Sequence, residues 1–138
     1  MAGTDELDDA LMRLLRDDAR ASFVDLARDL GTSEGTVRAR LKKLVDTGVI
    51  RGFTIRTAGL GVKAMVSVQV EANVRTQSVS QRIREFEGVT DVWEVSGDED
   101  ILVRIDTSTT EALDDVVERI RNLGDVRHTN SRLILREW

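Results

Sequence analysis

The spacing of small and apolar residues between Phe23 and Leu44, in FVDLARDLGTSEGTVRARLKKL, constrains this chain more than any other feature. Counted from Phe23, alanine stands fifth (Ala27), glycine ninth (Gly31) and valine fifteenth (Val37). Two helices joined by a tight turn need all three. The helices cross closely at Ala27, where a larger side chain would push them apart. The turn asks for a positive φ that glycine adopts at little cost. Val37 then buries against the first helix and fixes how the second projects.

Ser33 is a good N-cap for that second helix. Val37, Leu41 and Leu44 share its inward stripe. The opposite face carries Gly35, Thr36, Ala39, Lys42 and Lys43, with Arg38 and Arg40 on the flanks. A DNA major groove is only about 12 Å wide, so the line nearest the bases must stay slim while arginine and lysine reach phosphates. Ser33, Gly35 and Thr36 are therefore expected nearest the base edges, with Ala39 on the same DNA-facing side, and Arg38, Arg40, Lys42 and Lys43 at phosphates and some bases. Between Thr32 and Arg56 six basic residues face two acids, Glu34 and Asp46, inside a chain of net charge −5. A solvated basic face on an ordinary core helix is the competing reading. Position, turn chemistry and local charge together favour double-stranded DNA.

The rest of the charge lies elsewhere. Residues 1–56 hold ten basic and ten acidic side chains, and residues 57–138 hold ten and fifteen. The second half is thus poorly suited to nucleic acid and better suited to partners or small ligands. Its apolar runs fall far short of the roughly 18 residues a membrane span needs. The polar N-terminus carries no signal-peptide core, which points to the cytoplasm. There is no cysteine to form a disulfide or a thiolate metal site. Only three of the twenty basic residues are lysine, while aspartate supplies fifteen acids. Such a surface resembles those of proteins from salt-loaded cytoplasm, and drift in a GC-rich genome would produce it equally well.

Taken in order, Asp8–Arg16 reads as a first helix with Leu11, Leu14 and Leu15 inward, followed by the two motif helices. Val49–Ile55 is β-branched and alternating, as a wing strand would be. Arg56–Val62, with Gly59 and Gly61, is the expected hinge. Lys63–Glu71 then alternates as a half-buried strand with Ala64, Val66, Val68 and Val70 on one face. A helix over Ser78–Phe86, strands over Val89–Ser96 and from Ile101, a helix over Thr110–Leu123 and a last strand over Val126–Arg136 complete a β-α-β-β-α-β order. That order predicts a ferredoxin-like sheet with both helices on one face. The other face should carry Met65, Trp93 or Val92, Leu102, and Leu133 or Ile134, and a second subunit should cover it.

Asp98, Glu99 and Asp100 form the densest acid cluster. An ammonium-bearing effector, a divalent cation and a solvated hairpin turn all fit it. His128, the only histidine, has no partner for a catalytic triad. Trp93 and Trp138 suit packing better than base stacking in so acidic a half. No phosphate-binding glycine loop, dinucleotide fingerprint or zinc-protease motif occurs, so neither an enzyme nor a cofactor is expected.

With both halves placed, the chain resembles the Lrp/AsnC family of transcription regulators. The matching stretches are LLRDDAR (14–20), LARDLG (26–31), SEGTVRARL (33–41), GVIRGF (48–53) and VSGDED (95–100), in this order and at these separations. The resemblance implies a mixed α/β (α+β) protein: an N-terminal winged helix-turn-helix (1–56), a linker (57–62), and a C-terminal ferredoxin-like βαββαβ (RAM) domain (63–138) that senses ligand and oligomerises. It implies a homodimer built through the sheets, often assembled into rings of dimers, and an amino-acid or related effector near the turn after the second strand. Gly97, Asp98 and Asp100 match the family's G-D-x-D turn, and Thr129 and Ser131 lie where members add polar contacts. Two departures stand out: the linker, Ala58-Gly59-Leu60-Gly61, lacks the usual proline, and Glu99 stands where an aromatic is common. The function so implied is sequence-specific, effector-responsive regulation of transcription. The alternative is an oligomeric ligand sensor acting on protein partners with a vestigial DNA module.

Overall fold

The computed structural model describes residues 3–57 and 61–138, and divides into two compact units, Met1–Arg56 and Thr57–Trp138. The expected hinge residues Ala58, Gly59 and Leu60 lie outside the described residues.

The first unit holds three helices, α1 (Glu6–Asp17), α2 (Phe23–Leu30) and α3 (Glu34–Asp46). α1 starts earlier than the apolar pattern suggests because Asp5 caps it. The Asp5 carboxylate accepts from the Asp8 N–H at 2.9 Å, and the Asp8 carboxylate accepts from the Asp5 N–H at 3.3 Å. This reciprocal box satisfies two of the donors a helix start leaves free. α2 is capped by Ser22, whose Oγ accepts from the Asp25 N–H at 3.0 Å. It ends on Gly31 at φ 64°, whose N–H donates to the Ala27 and Arg28 carbonyls. Leu11, Leu15, Leu26, Ala27, Val37 and Leu44 are buried together as the core of this unit.

The expected wing is absent: no strand forms over the described residues between Val49 and Thr57. The Ile50 N–H donates to the Leu44 carbonyl at 2.9 Å, so the segment begins by closing α3 and packing Ile50 on the core. Among the described residues no strand pairs with those beyond Ile50, and alternation without a partner does not make a strand.

The second unit runs β1 (Val62–Val70), α4 (Thr76–Arg84), β2 (Val89–Glu94), β3 (Ile101–Thr107), α5 (Thr110–Arg121) and β4 (Val126–Leu133). The four strands lie in the order β2-β3-β1-β4, all neighbours antiparallel. Register assigns the faces, because directly paired residues point the same way. Val92, Val103 and Val66 form one row, and Ile101 and Val68 another; these meet Val79, Ile83, Leu113, Val116, Val117 and Ile120 of the helices. The opposite face carries Trp93 beside Leu102 and Ser67, and Asp91 beside Arg104, Met65 and Arg132.

Met65, Trp93 and Leu102 thus lie on the uncovered face, as expected. Val92 does not, being packed on the core. Leu133 pairs with Ala64 and so belongs to the helix-facing side, at the sheet's edge. The uncovered face is also more polar than the apolar residues alone suggest. Glu137 accepts from Lys63 at 2.5 Å and from Arg104, and the Lys63 bond is the main cause holding its carboxyl below the usual range.

Candidate nucleic-acid interface and effector turn

The interface is built on α3. Ser33 caps it, its Oγ accepting from the Thr36 N–H at 3.2 Å and lying 2.9 Å from the Thr36 hydroxyl. Val37 and Leu44 anchor the inner side at 1 % exposure each. That anchoring turns Ser33, Gly35, Arg38, Ala39 and Lys42 to solvent, with Thr36 half-buried beside them. A Cβ placed on Gly35 would meet only the Ser33 hydroxyl, at 3.9 Å, so the surface there is open. A slim line is therefore available for close approach, flanked by cations.

The cations are not equally free. The Arg38 guanidinium rests over the Phe23 ring, 4.4 Å from its centroid, yet the residue stays exposed. Lys42 pairs with Asp46 one turn on, and its side chain is 75 % exposed. Arg40 departs from the expectation. Its guanidinium turns onto Asp5 and onto Asp8, the latter at 3.2 Å, and its side chain is only 30 % exposed. The hydrogen bond to Asp5, then that to Asp8, holds the guanidinium even more firmly protonated than usual. Lys43 leans the same way, with Nζ 3.7 Å from Asp8 Oδ2. Sequence reasoning missed Asp5 and Asp8. Their D-x-x-D spacing is legible as a capping box, but their partner on α3 is not.

The acid turn behaves differently from its sequence. The Asp100 carboxylate accepts from the Val70 N–H at 2.9 Å, and the Asp100 N–H donates to the Val68 carbonyl at 3.0 Å. Asp100 thus ties the turn to the end of β1. The Asp98 carbonyl accepts from Gln69 Nε2 at 2.7 Å, and Gln69 Oε1 accepts from Arg127 at 3.1 Å. The Asp98 side chain is exposed, and Gly97 turns the chain at φ 117° with nothing near its missing Cβ. Thr129 pairs with Val68 and Ser131 with Val66, so both lie across β1 from the turn, at least two strand spacings or about 10 Å away, with Ser131 two residues further along β4 than Thr129. Gly97, Asp98 and Asp100 come together; Thr129 lies toward the same end of the sheet, while Ser131 stands opposite Val66 in the middle of β1, and neither is brought to the turn.

The profile of the Lrp/AsnC ligand binding domain matches residues 63–138, and that of the AsnC-type helix-turn-helix domain matches residues 5–45. The chain belongs to the Lrp/AsnC family. Among its relatives, the HTH-type transcriptional regulator LysM of Sulfurisphaera tokodaii is 35 % identical over 139 residues, covering 100 % of this chain and 99 % of that one. The HTH-type transcriptional regulator AldR of Mycobacterium tuberculosis is 36 % identical over 140 residues, covering 96 % and 78 %. The crystal structure of MtbAldR superposes with a TM-score of 0.85 at 33 % identity, covering 99 % of this chain and 95 % of that one. As an Lrp/AsnC protein the chain is a DNA-binding, ligand-responsive transcription regulator, with α3 in the helix-turn-helix and the acid turn in the ligand-binding domain. No helix among the described residues is long and apolar enough to cross a membrane.

Proposed function

We propose that this Lrp/AsnC regulator reads an inverted-repeat operator as a homodimer and answers to an amino acid or a closely related metabolite. Residues 1–56 bind DNA, 57–62 link, and 63–138 sense ligand and oligomerise. The observation carrying the DNA reading is the exposed line of Ser33, Gly35 and Ala39 along α3 and its cap, with Thr36 half-buried beside it, opposite the buried Val37 and Leu44. In this reading Ser33, Gly35, Thr36 and Ala39 approach base edges, while Arg38, Lys42 and Lys43 reach phosphates. Two copies of α3 enter successive major grooves about 34 Å apart, and half-site spacing is set by the dimer's symmetry. Trp93, Leu102 and Met65 on the uncovered sheet face support dimerisation, and dimers assemble further. The protein works in the cytoplasm, and catalysis forms no part of its action.

The effector lies at the Gly97–Asp100 turn, with Thr129 and Ser131 toward its far side. Because Asp100 is engaged by the Val70 N–H, the exposed Asp98 is the carboxylate left to meet an α-ammonium. Effector binding alters how dimers associate, and through that the spacing of the paired helices. The test is selection of bound fragments from genomic DNA, with and without each amino acid, at several salt concentrations. Replacing Arg38 and Lys42 together should abolish recovery of the selected fragments while the assembly keeps its size. Retained recovery in that variant would reject the DNA reading and favour a sensor that acts on proteins.

A further inference from the structure

We propose that Arg40 is a positioning residue: its guanidinium, bound to Asp5 and the buried Asp8, sets the recognition helix against α1 and does not meet a phosphate. The proposal rests on the DNA reading of α3 and deepens it. Helical spacing comes first. Arg40 stands three residues after Val37 and four before Leu44, at the edge of the stripe that packs inward. Lys42 and Arg38 instead flank the outward line through Gly35 and Ala39. Exposure agrees, at 30 % for the Arg40 side chain against 75 % for that of Lys42.

Asp8 supplies the reason for the arrangement. Its side chain is 0 % exposed, and a carboxylate without water needs a cation and hydrogen bonds to remain buried at tolerable cost. Arg40 Nη1 reaches Asp8 Oδ1 at 3.2 Å, while Oδ2 takes the Asp5 N–H at 3.3 Å and lies 3.7 Å from Lys43 Nζ. The same Arg40 nitrogen holds Asp5, the cap of α1. The first turn of α1 and the middle of α3 therefore form one polar lock. It ties the angle of the recognition helix to a pair that salt screens poorly, because one member is out of water. A phosphate contact in the same place would weaken steeply with salt.

Salt dependence separates the two roles. The slope of log affinity against log salt falls by about 0.9 for each phosphate contact removed, twice that in a symmetric dimer. The full-length chain and its variants are titrated with a fluorescein-labelled mixed-sequence duplex at several potassium chloride concentrations, and their melting temperatures are measured without DNA. Lys42→Ala should flatten the slope. Arg40→Gln should weaken binding and lower the melting temperature by several degrees with the slope unchanged. Adding Asp8→Asn to Arg40→Gln should restore part of both, since no buried carboxylate is then left uncompensated. Asp8→Asn alone should leave the slope as it is.

A flattened slope in Arg40→Gln would overturn the proposal, as would a steeper slope in Asp8→Asn, which would mean that a freed Arg40 reaches a phosphate. A double variant no better than Arg40→Gln would overturn it too. If Arg40→Gln does not fold, Asp8→Asn and the double variant decide the matter by slope. Failure of the unaltered protein to bind duplex at low salt would instead sink the DNA reading. The melting temperatures of the single and double variants would then still show whether Asp8 and Arg40 are coupled.

Discussion

Replacing Gly31 or Gly61 by alanine asks the same question of the backbone in two different surroundings. Gly31, in the turn before α3, sits at φ 64°, and an added Cβ there would meet nothing within 4 Å. Gly31→Ala therefore carries only the left-handed penalty, about 1–2 kcal/mol, less the roughly 0.4–1 kcal/mol regained by restricting the unfolded chain. The net loss is about 1 kcal/mol. Gly61 sits at φ 87°, but a Cβ there would lie 2.3 Å from the Thr107 carbonyl oxygen. That oxygen belongs to the backbone of β3 and cannot rotate aside. Gly61→Ala must displace a strand as well as strain φ, so it should cost at least about 1 kcal/mol more than Gly31→Ala, the low end of overpacking costs. Both tryptophans, Trp93 and Trp138, lie in the second unit, so their fluorescence tracks that unit. Far-UV ellipticity weights the first, whose helices have 12, 8 and 13 residues against 9 and 12. In urea, Gly31→Ala should lower the midpoint of the ellipticity signal and spare the fluorescence transition, with Gly61→Ala doing the reverse and more strongly. Equal losses at the two sites, or a loss beyond about 3 kcal/mol at Gly31, would refute the separation of strain from clash.

Further expectations concern the core, the cap, the sheet face and the turn. Ile105→Ala, at a fully buried site under the helices, should cost about 2–5 kcal/mol in urea unfolding. The hydrogen bond from Arg40 is the first cause holding the Asp5 carboxyl below its ordinary 3.8. A depressed carboxyl contributes fully above 3.8 and loses that contribution as pH falls through its lowered value. The stability gap between the unaltered protein and Asp5→Asn should accordingly be flat at neutral pH and close in acid. Trp93→Glu with Leu102→Glu should shift sedimentation toward monomer without lowering helix content; an unchanged mass would move the dimer contact elsewhere. Asp98→Ala should weaken calorimetric binding of the selected amino acid, whereas Asp100→Ala should also destabilise the second unit by about 1–3 kcal/mol, because it orphans the Val70 N–H.

Local pattern is enough to read the helix-turn-helix from Ala27, Gly31 and Val37, and the β-α-β-β-α-β order from where the apolar period changes. Periodicity and cap chemistry act within a few residues, so the chain carries them openly. Pairing decided the rest. Val49–Ile55 has the composition of a strand, but among the described residues none pairs with it to complete one. The family resemblance locates Thr129 and Ser131 along the chain, but only their register against Val68 and Val66 shows them an entire strand away from Asp100. Arg40 reads as one more base on a basic helix until α1 folds against it and brings Asp8, 32 residues back, within 3.2 Å. Each of these depends on what a distant segment offers when it arrives: a backbone edge, a register or a buried charge. That is information no short window of sequence contains.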